Sequence, residues 1–216
     1  MSDAETPSLP AASDDAPAAA EPARKRPKPG ERRVQILQAL ATMLEQPGAE
    51  RITTAALAAR LSVSEAALYR HFASKAQMFE GLIDFIEHSV FSLVNQIQER
   101  HASEPARAAA AIAAMLVQFA ERNPGMTRVM VGDALVFENE RLQQRMNQFF
   151  DKIEAALRQC LRGEGVGDDP ATPSVNAQVK ASLLTAFLAG RLQRFARSGF
   201  RRLPSEHLDA CLARIV

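Results

Sequence analysis

A chain of 216 residues, 47% of them hydrophobic, can bury a core in one or two packed units. Two cysteines (Cys160, Cys211) are too few for a disulfide framework or a zinc cluster. The four histidines (His71, His88, His101, His207) show no ligand spacing, and no run of ~18 apolar residues could span a bilayer. The net charge of +1 is unevenly spread. Residues 1–23 carry five acids (Asp3, Glu5, Asp14, Asp15, Glu21) and no base, residues 24–75 carry ten bases against four acids, a net of +6, and 76–216 sum to zero.

The start lacks the basic and apolar regions of a secretory signal. Residues 1–30 hold six of the twelve prolines with Ala, Ser and Asp and no aromatic, a composition too poor in apolar surface to fold, so a disordered arm is expected. It ends in the basic tract Arg24-Lys25-Arg26-Pro27-Lys28, which suits either a contact with DNA phosphates or a minor groove, or a plain solvated linker.

A first helix is expected over 31–45, with Val34, Ile36, Leu37, Leu40, Ala41 and Leu44 as its buried stripe and Gln46-Pro47-Gly48 as its stop. Residues 52–75, ITTAALAARLSVSEAALYRHFASK, read as two short helices around a tight turn and the start of another. Thr53 or Thr54 caps the first, which places Leu57 and Leu61 on one face. Ser62 and Val63 form the turn. Ser64 caps the second helix, 65–71, which points Leu68 and Phe72 inward. This is a helix-turn-helix, the module that seats one short helix in the major groove. Ala66 and Ala67 permit close approach. Tyr69, Arg70 and His71 carry donors for phosphates or base edges, and Lys75 reaches a phosphate. The capping and turn residues Thr53, Thr54, Ser64 and Glu65 complete the candidate DNA-binding set. The excess positive charge lies on and just before this module, where phosphate attraction needs it.

A long helix follows from 74 to about 100. Its apolar residues (Met78, Phe79, Leu82, Ile83, Phe85, Ile86, Val90, Phe91, Leu93, Val94, Ile97) cover more than one stripe, which implies burial on several sides or an exposed apolar patch. Further helices are expected over 104–122, 126–136, 139–161, 175–197 and 205–216. They are separated by Asn123-Pro124-Gly125 and by the loop 163–174. There is no internal repeat and no convincing strand. No phosphate-cradling glycine loop, nucleophile–base pair or metal-ligand cluster is present, so neither catalysis nor a cofactor is expected. The Gly163/Gly165/Gly167 loop runs into Asp168-Asp169-Pro170, which repels phosphate.

The stretch TTAALAARLSVSEAALYRHFASK resembles the signature of TetR-family regulators: a Thr-Thr start, an Ala-rich first helix, V-S, then L-Y-x-H-F-x-S-K. The resemblance implies an all-α fold with an N-terminal three-helix DNA-binding domain (31–75), a C-terminal helical domain (76–216) and a two-fold homodimer on a palindromic double-stranded site. The usual family behaviour is repression relieved by a small ligand in the C-terminal domain.

Residues 32–46, 51–89 and 119–162, and more weakly 187–204, are similar to the nucleoid-occlusion factors of this family. Those bind chromosomal DNA and disrupt polymers of the tubulin-like division GTPase FtsZ. That likeness implies a cytoplasmic, nucleoid-associated chain with an FtsZ-binding groove between the fourth and fifth helices. By position, Phe85, Arg122 and Asn123 match the pattern and Met115 is a conservative apolar replacement. Gln118 departs where a small Gly is expected, and Leu93 where an Arg is expected. An exposed Phe beside an Arg suits a Pro-containing acidic peptide such as the FtsZ tail. From the residues alone, Phe85 is equally well a core residue, and Arg122 with Asn123 is equally well a helix end.

Overall fold

The computed structural model describes residues 30–46, 52–162 and 173–216. Residues 1–29 of the expected arm, the Pro47-Gly48 stop and residues 163–172 of the expected loop 163–174 lie outside the described residues, while Pro173 and Ser174 of that loop already belong to the helix that follows. The described chain is all-α: α1 (Glu31–Leu44), α2 (Thr54–Arg60), α3 (Glu65–Tyr69), α4 (Lys75–Arg100), α5 (Pro105–Arg122), α6 (Pro124–Met130), a 3-10 turn (Asp133–Leu135), α7 (Glu140–Leu161), α8 (Pro173–Arg197) and α9 (Leu208–Ile215).

Helix starts follow local chemistry. The hydroxyls of Thr53, Ser64 and Ser74 accept the backbone N–H of Ala56, Ala67 and Gln77, so each satisfies a first-turn donor that the helix leaves unpaired. Asn139 does the same for Arg141 at the start of α7. Pro opens α5 and α6, where a missing N–H costs nothing. Between α2 and α3 the chain reverses at Ser62, which adopts a left-handed φ of 54°. The N–H of Val63 closes back onto the Ala58 carbonyl at 3.0 Å, the αL termination usually given to glycine.

One apolar cluster joins the ends of the chain. Ile36, Leu40 and Leu44 of α1, Leu57 of α2 and Leu68 of α3 belong to the same buried network as Leu116 of α5, Phe149 of α7 and Leu188 of α8. Helix α4 ties α1–α3 to the rest of the chain. Its Met78, Phe79, Leu82, Ile83, Ile86, Val90 and Val94 are all buried, whereas Phe85 and Leu93 are exposed. Salt links clamp α4 to α7. Arg145 bridges Asp84 (2.9 Å) and Glu87 (2.7 Å), Lys152 reaches Glu87, and Arg141 pairs with Glu80. Burial opposes the charge on Arg145, but its bonds to Asp84 and Glu87 outweigh this and hold the guanidinium above its ordinary pKa.

Three expectations need correction. Val34 is exposed, not core. It shares a stripe with Leu37 and Ala41 but sits in the first turn of α1. The helix expected over 126–136 starts at Pro124 and ends at Met130. Gly132 stops it with a left-handed φ of 79°, and a Cβ there would lie 2.2 Å from Gln143 Nε2. Helix α9 begins at Leu208 instead of 205, because His207 holds a left-handed φ of 55°.

Candidate nucleic-acid interface and partner face

The two short helices α2 and α3 pack against each other and are joined by their own side chains. Thr53, not Thr54, caps α2. The Thr54 hydroxyl instead donates to Glu65 Oε2 at 2.6 Å, crossing the turn to the first residue of α3. Thr53, Thr54, Ser64 and Glu65 therefore shape the module through these bonds. Ala66 is exposed and Ala67 half-buried, which leaves the start of α3 slim. Tyr69 (45% exposed) and Arg70 project at its end. The His71 carbonyl accepts the Arg33 guanidinium of α1, which also stacks 4.1 Å from the centre of the buried Phe72 ring. Arg33 thus locks α1 across the end of α3, a role that no local sequence signal marks.

Lys75, at the first residue of α4, pairs with Glu138 from the segment between the 3-10 turn and α7. The Glu138 side chain is only 10% exposed. The ammonium also lies 5.7 Å from the Phe79 ring. Sixty-three residues separate Lys75 from Glu138, so the sequence offers no sign of the pair. The lysine placed at the candidate interface is also a link between head and body.

The second candidate set lies on α4 and α5, which pack against each other and are joined by the short 101–104 turn. Phe85 is 51% exposed on α4 and Leu93 37%. On α5, Gln118 and Arg122 are exposed and Met115 is half-buried. Asn123 closes α5 and opens α6. Its amide donates to Phe119 O at 2.8 Å, and its carbonyl accepts the Thr127 N–H at 2.9 Å. Thr127, fully buried, donates its hydroxyl to Ala120 O at 2.9 Å and to Asn123 O at 3.1 Å. Asn123 is thus a structural hinge residue at the end of an otherwise open face. Next to it, Gly125 seats α6 on α1. A Cβ there would lie 1.9 Å from the Ala41 carbonyl oxygen.

Apolar side chains are also exposed on α8. Val175 (54%), Val179 (59%) and Leu183 (54%) recur every four residues and make a stripe along one face. Among the described residues, no group of three or more His, Cys, Asp or Glu is placed to hold a metal ion, and no helix is long and apolar enough to cross a membrane.

Comparison with known proteins meets this geometry at both ends. Residues 36–82 match the family model of bacterial regulatory proteins of the tetR family, and residues 107–214 match the SlmA-like C-terminal domain of tetracycline-repressor-like proteins. The chain is 50% identical over 179 residues to the nucleoid occlusion factor SlmA of Idiomarina loihiensis, covering 83% of this chain and 90% of that protein. It is likewise 50% identical over 179 residues to SlmA of Vibrio cholerae, covering 82% and 90%. A transcriptional regulator from Rhodococcus sp. Rha1 shares the fold at 21% identity with a TM-score of 0.66, over 85% of this chain and 95% of that one. The chain therefore belongs to the TetR family of DNA-binding regulators and, within it, to the SlmA nucleoid occlusion factors.

Proposed function

We propose that the chain binds a palindromic double-stranded DNA site as a homodimer and, from there, binds FtsZ and disrupts its polymers, so that no septum forms over the chromosome. The observation that carries this reading is Phe85. A large aromatic residue on a helix whose other face is buried stands 51% exposed. Burying a Phe side chain fully is worth about 1.5–3 kcal/mol. Covering the exposed half of Phe85 therefore offers a partner roughly 1 kcal/mol or more before any polar contact. Arg122 and Gln118 supply those contacts on α5, and Met115 the apolar floor. Asn123 holds the end of the face in shape through its bonds to Phe119 and Thr127. On this reading the protein works in the cytoplasm, on the nucleoid.

In the head, α3 enters the major groove with Ala66 and Ala67 against the duplex. Tyr69, Arg70 and His71 reach bases or phosphates, and Lys75 a phosphate. The Val175, Val179 and Leu183 stripe on α8 packs against its copy in a second protomer, as two-fold symmetry requires of an isologous interface.

Sedimentation of GTP-assembled FtsZ with the purified chain, with and without its DNA site, tests the proposal. The chain lowers the pelleted fraction, more so with DNA. Phe85→Ala and Arg122→Ala abolish the effect while binding DNA normally. Unchanged pelleting with the native chain under every condition would refute FtsZ binding and leave ligand-relieved repression as the reading to pursue.

A further inference from the structure

Five arginines fall within the twelve residues that end α8 and begin the next loop: Arg191, Arg194, Arg197, Arg201 and Arg202. No acid interrupts them, and the function proposed above does not use them. Arg191 is fixed. Its Nη1 donates to the carbonyls of Pro204 and Glu206, both at 2.7 Å, and its guanidinium lies 4.5 Å from the Phe187 ring. These bonds fold the loop back on α8 and, with the exposed Arg194 and Arg202, line an open groove of about 260 Å³. Neither Arg194 nor Arg202 has a carboxylate partner among the described residues. The one acid at the rim, Glu206, leans toward His207 at 3.9 Å. Leu203, 53% exposed, forms an apolar lip, with the buried Pro204 behind it.

The loop is held in place. Ser198 Oγ accepts the N–H of Arg201 at 3.0 Å and of Arg202 at 2.9 Å. Arg128 of α6 lies 5.4 Å from the Phe200 ring. The Ser205 N–H donates to Glu121 Oε1 at 2.9 Å. Glu121 precedes Arg122, so the cationic groove is fastened to the same end of α5 that closes the candidate partner face.

Two open guanidinium forks match carboxylates bidentately. An apolar lip beside them suits the backbone and aliphatic carbons of a peptide, and gives nothing to a bare phosphate. We propose that Arg194 and Arg202 bind the acidic residues of a polypeptide partner whose apolar part rests on Phe85. The inference builds on the partner reading of the α4–α5 face and deepens it. With Leu93 in place of the expected arginine, that face carries, among the described residues, Arg122 as the free cation at its α5 end, and the acids of the partner find theirs beyond it.

The test uses the full chain and fluorescence anisotropy with three probes: the FtsZ C-terminal tail peptide, the same peptide with each Asp and Glu replaced by its amide, and poly-L-glutamate. The native chain binds the acidic tail about tenfold more tightly than the amide copy, the size expected of two partly exposed charge pairs. The double variant R194A/R202A loses that tenfold for the acidic tail and nothing for the amide copy, while F85A weakens both. R194K/R202K restores part of the loss. If R194A/R202A binds both tails as the native chain does, the inference is overturned. If the native chain binds neither tail, the FtsZ reading fails, and poly-L-glutamate decides the groove alone: capture lost in R194A/R202A supports it, and no capture by the native chain overturns it. Displacement of poly-L-glutamate by inorganic pyrophosphate or by site-free duplex at equal charge would assign the groove to phosphates and overturn the peptide assignment.

Discussion

Replacing Gly125 with alanine sets two physical effects against each other, and the structure decides the sign. Gly125 is an α-helical residue of α6, and alanine in a helix interior is favoured over glycine by about 1 kcal/mol. Propensity alone therefore predicts a more stable protein. The structure predicts the reverse, because the new Cβ would lie 1.9 Å from the Ala41 carbonyl oxygen and 2.9 Å from its carbon. Carbon–oxygen contacts settle near 3.3 Å, so α1 and α6 must part by roughly 1.4 Å. The obstacle is backbone, which cannot rotate aside as a side chain does. Overpacking costs about 1–3 kcal/mol. With the upper value, less the propensity gain, the net loss is about 2 kcal/mol, which in a chain of this size lowers Tm by roughly 4–8 °C. Differential scanning calorimetry of Gly125→Ala against the native chain measures it. A Tm equal to or above the native one would show that α1 and α6 are not in this contact, and the account of how the body holds the reading head would fall.

Ser62 holds a left-handed φ of 54°, so Ser62→Gly relieves a strain of about 1 kcal/mol and raises Tm by a few degrees; a lower Tm refutes the turn geometry. Cys160 is half-buried, and burial raises its thiol pKa although a bond from Gln98 works the other way. Its thiolate thus forms only above the ordinary thiol range. Its alkylation by iodoacetamide, followed by peptide mass spectrometry, keeps climbing with pH after that of a free thiol has levelled, and a plateau at ordinary pH contradicts the burial. Tyr69→Ala and Arg70→Ala weaken operator binding, and loss of a phosphate contact at Arg70 flattens the log–log salt dependence by about one unit. Unchanged affinity and slope in both would remove α3 from the duplex.

The helices were legible because their period, caps and stops agree locally. Ser64, Ser74 and Asn139 sit at real starts, whereas Pro124, expected only to separate two helices, opens α6. Their ends were less legible where one backbone conformation decides them. Gly132, a residue type that commonly ends helices left-handed, cuts α6 short, while the apolar Ala134, Leu135 and Val136 beyond it continue the pattern of a helix. In the candidate sites, residue types were readable and pairings were not. Thr53 and Thr54 are equal as caps on paper; Glu65, eleven residues on, separates them by binding the second. The choice between core and surface for Phe85 turns on which neighbours reach it, a property of packing between distant helices. Gly125 read only as a chain breaker, because the carbonyl it accommodates belongs to a helix some eighty residues earlier.

A DNA-binding domain over 31–75 and a body over 76–216 would share one core across their boundary and behave as one cooperative unit. Helix α4 begins at Lys75 and runs on without interruption. Its Met78, Phe79 and Leu82 belong to the same buried cluster as Leu40 of α1 and Leu68 of α3, and that cluster extends to Leu188 of α8. Two further fastenings cross the same boundary, the ion pair of Lys75 with Glu138 and the close seat of Gly125 on α1. A head that unfolded alone would expose the α4 side chains it shares with the body. At about 25 cal/mol per Å² of apolar surface, stripping even a few such residues costs several kcal/mol. That is a large part of the 5–15 kcal/mol that stabilises a whole domain. Head and body should therefore melt together. Tyr69, the one tyrosine of the chain, lies in the head and reports it by fluorescence, while far-UV circular dichroism is dominated by the body. Coincident urea transitions by the two signals are expected, and a tyrosine transition that precedes the loss of helix would mean that the shared core does not bind the two parts into one unit.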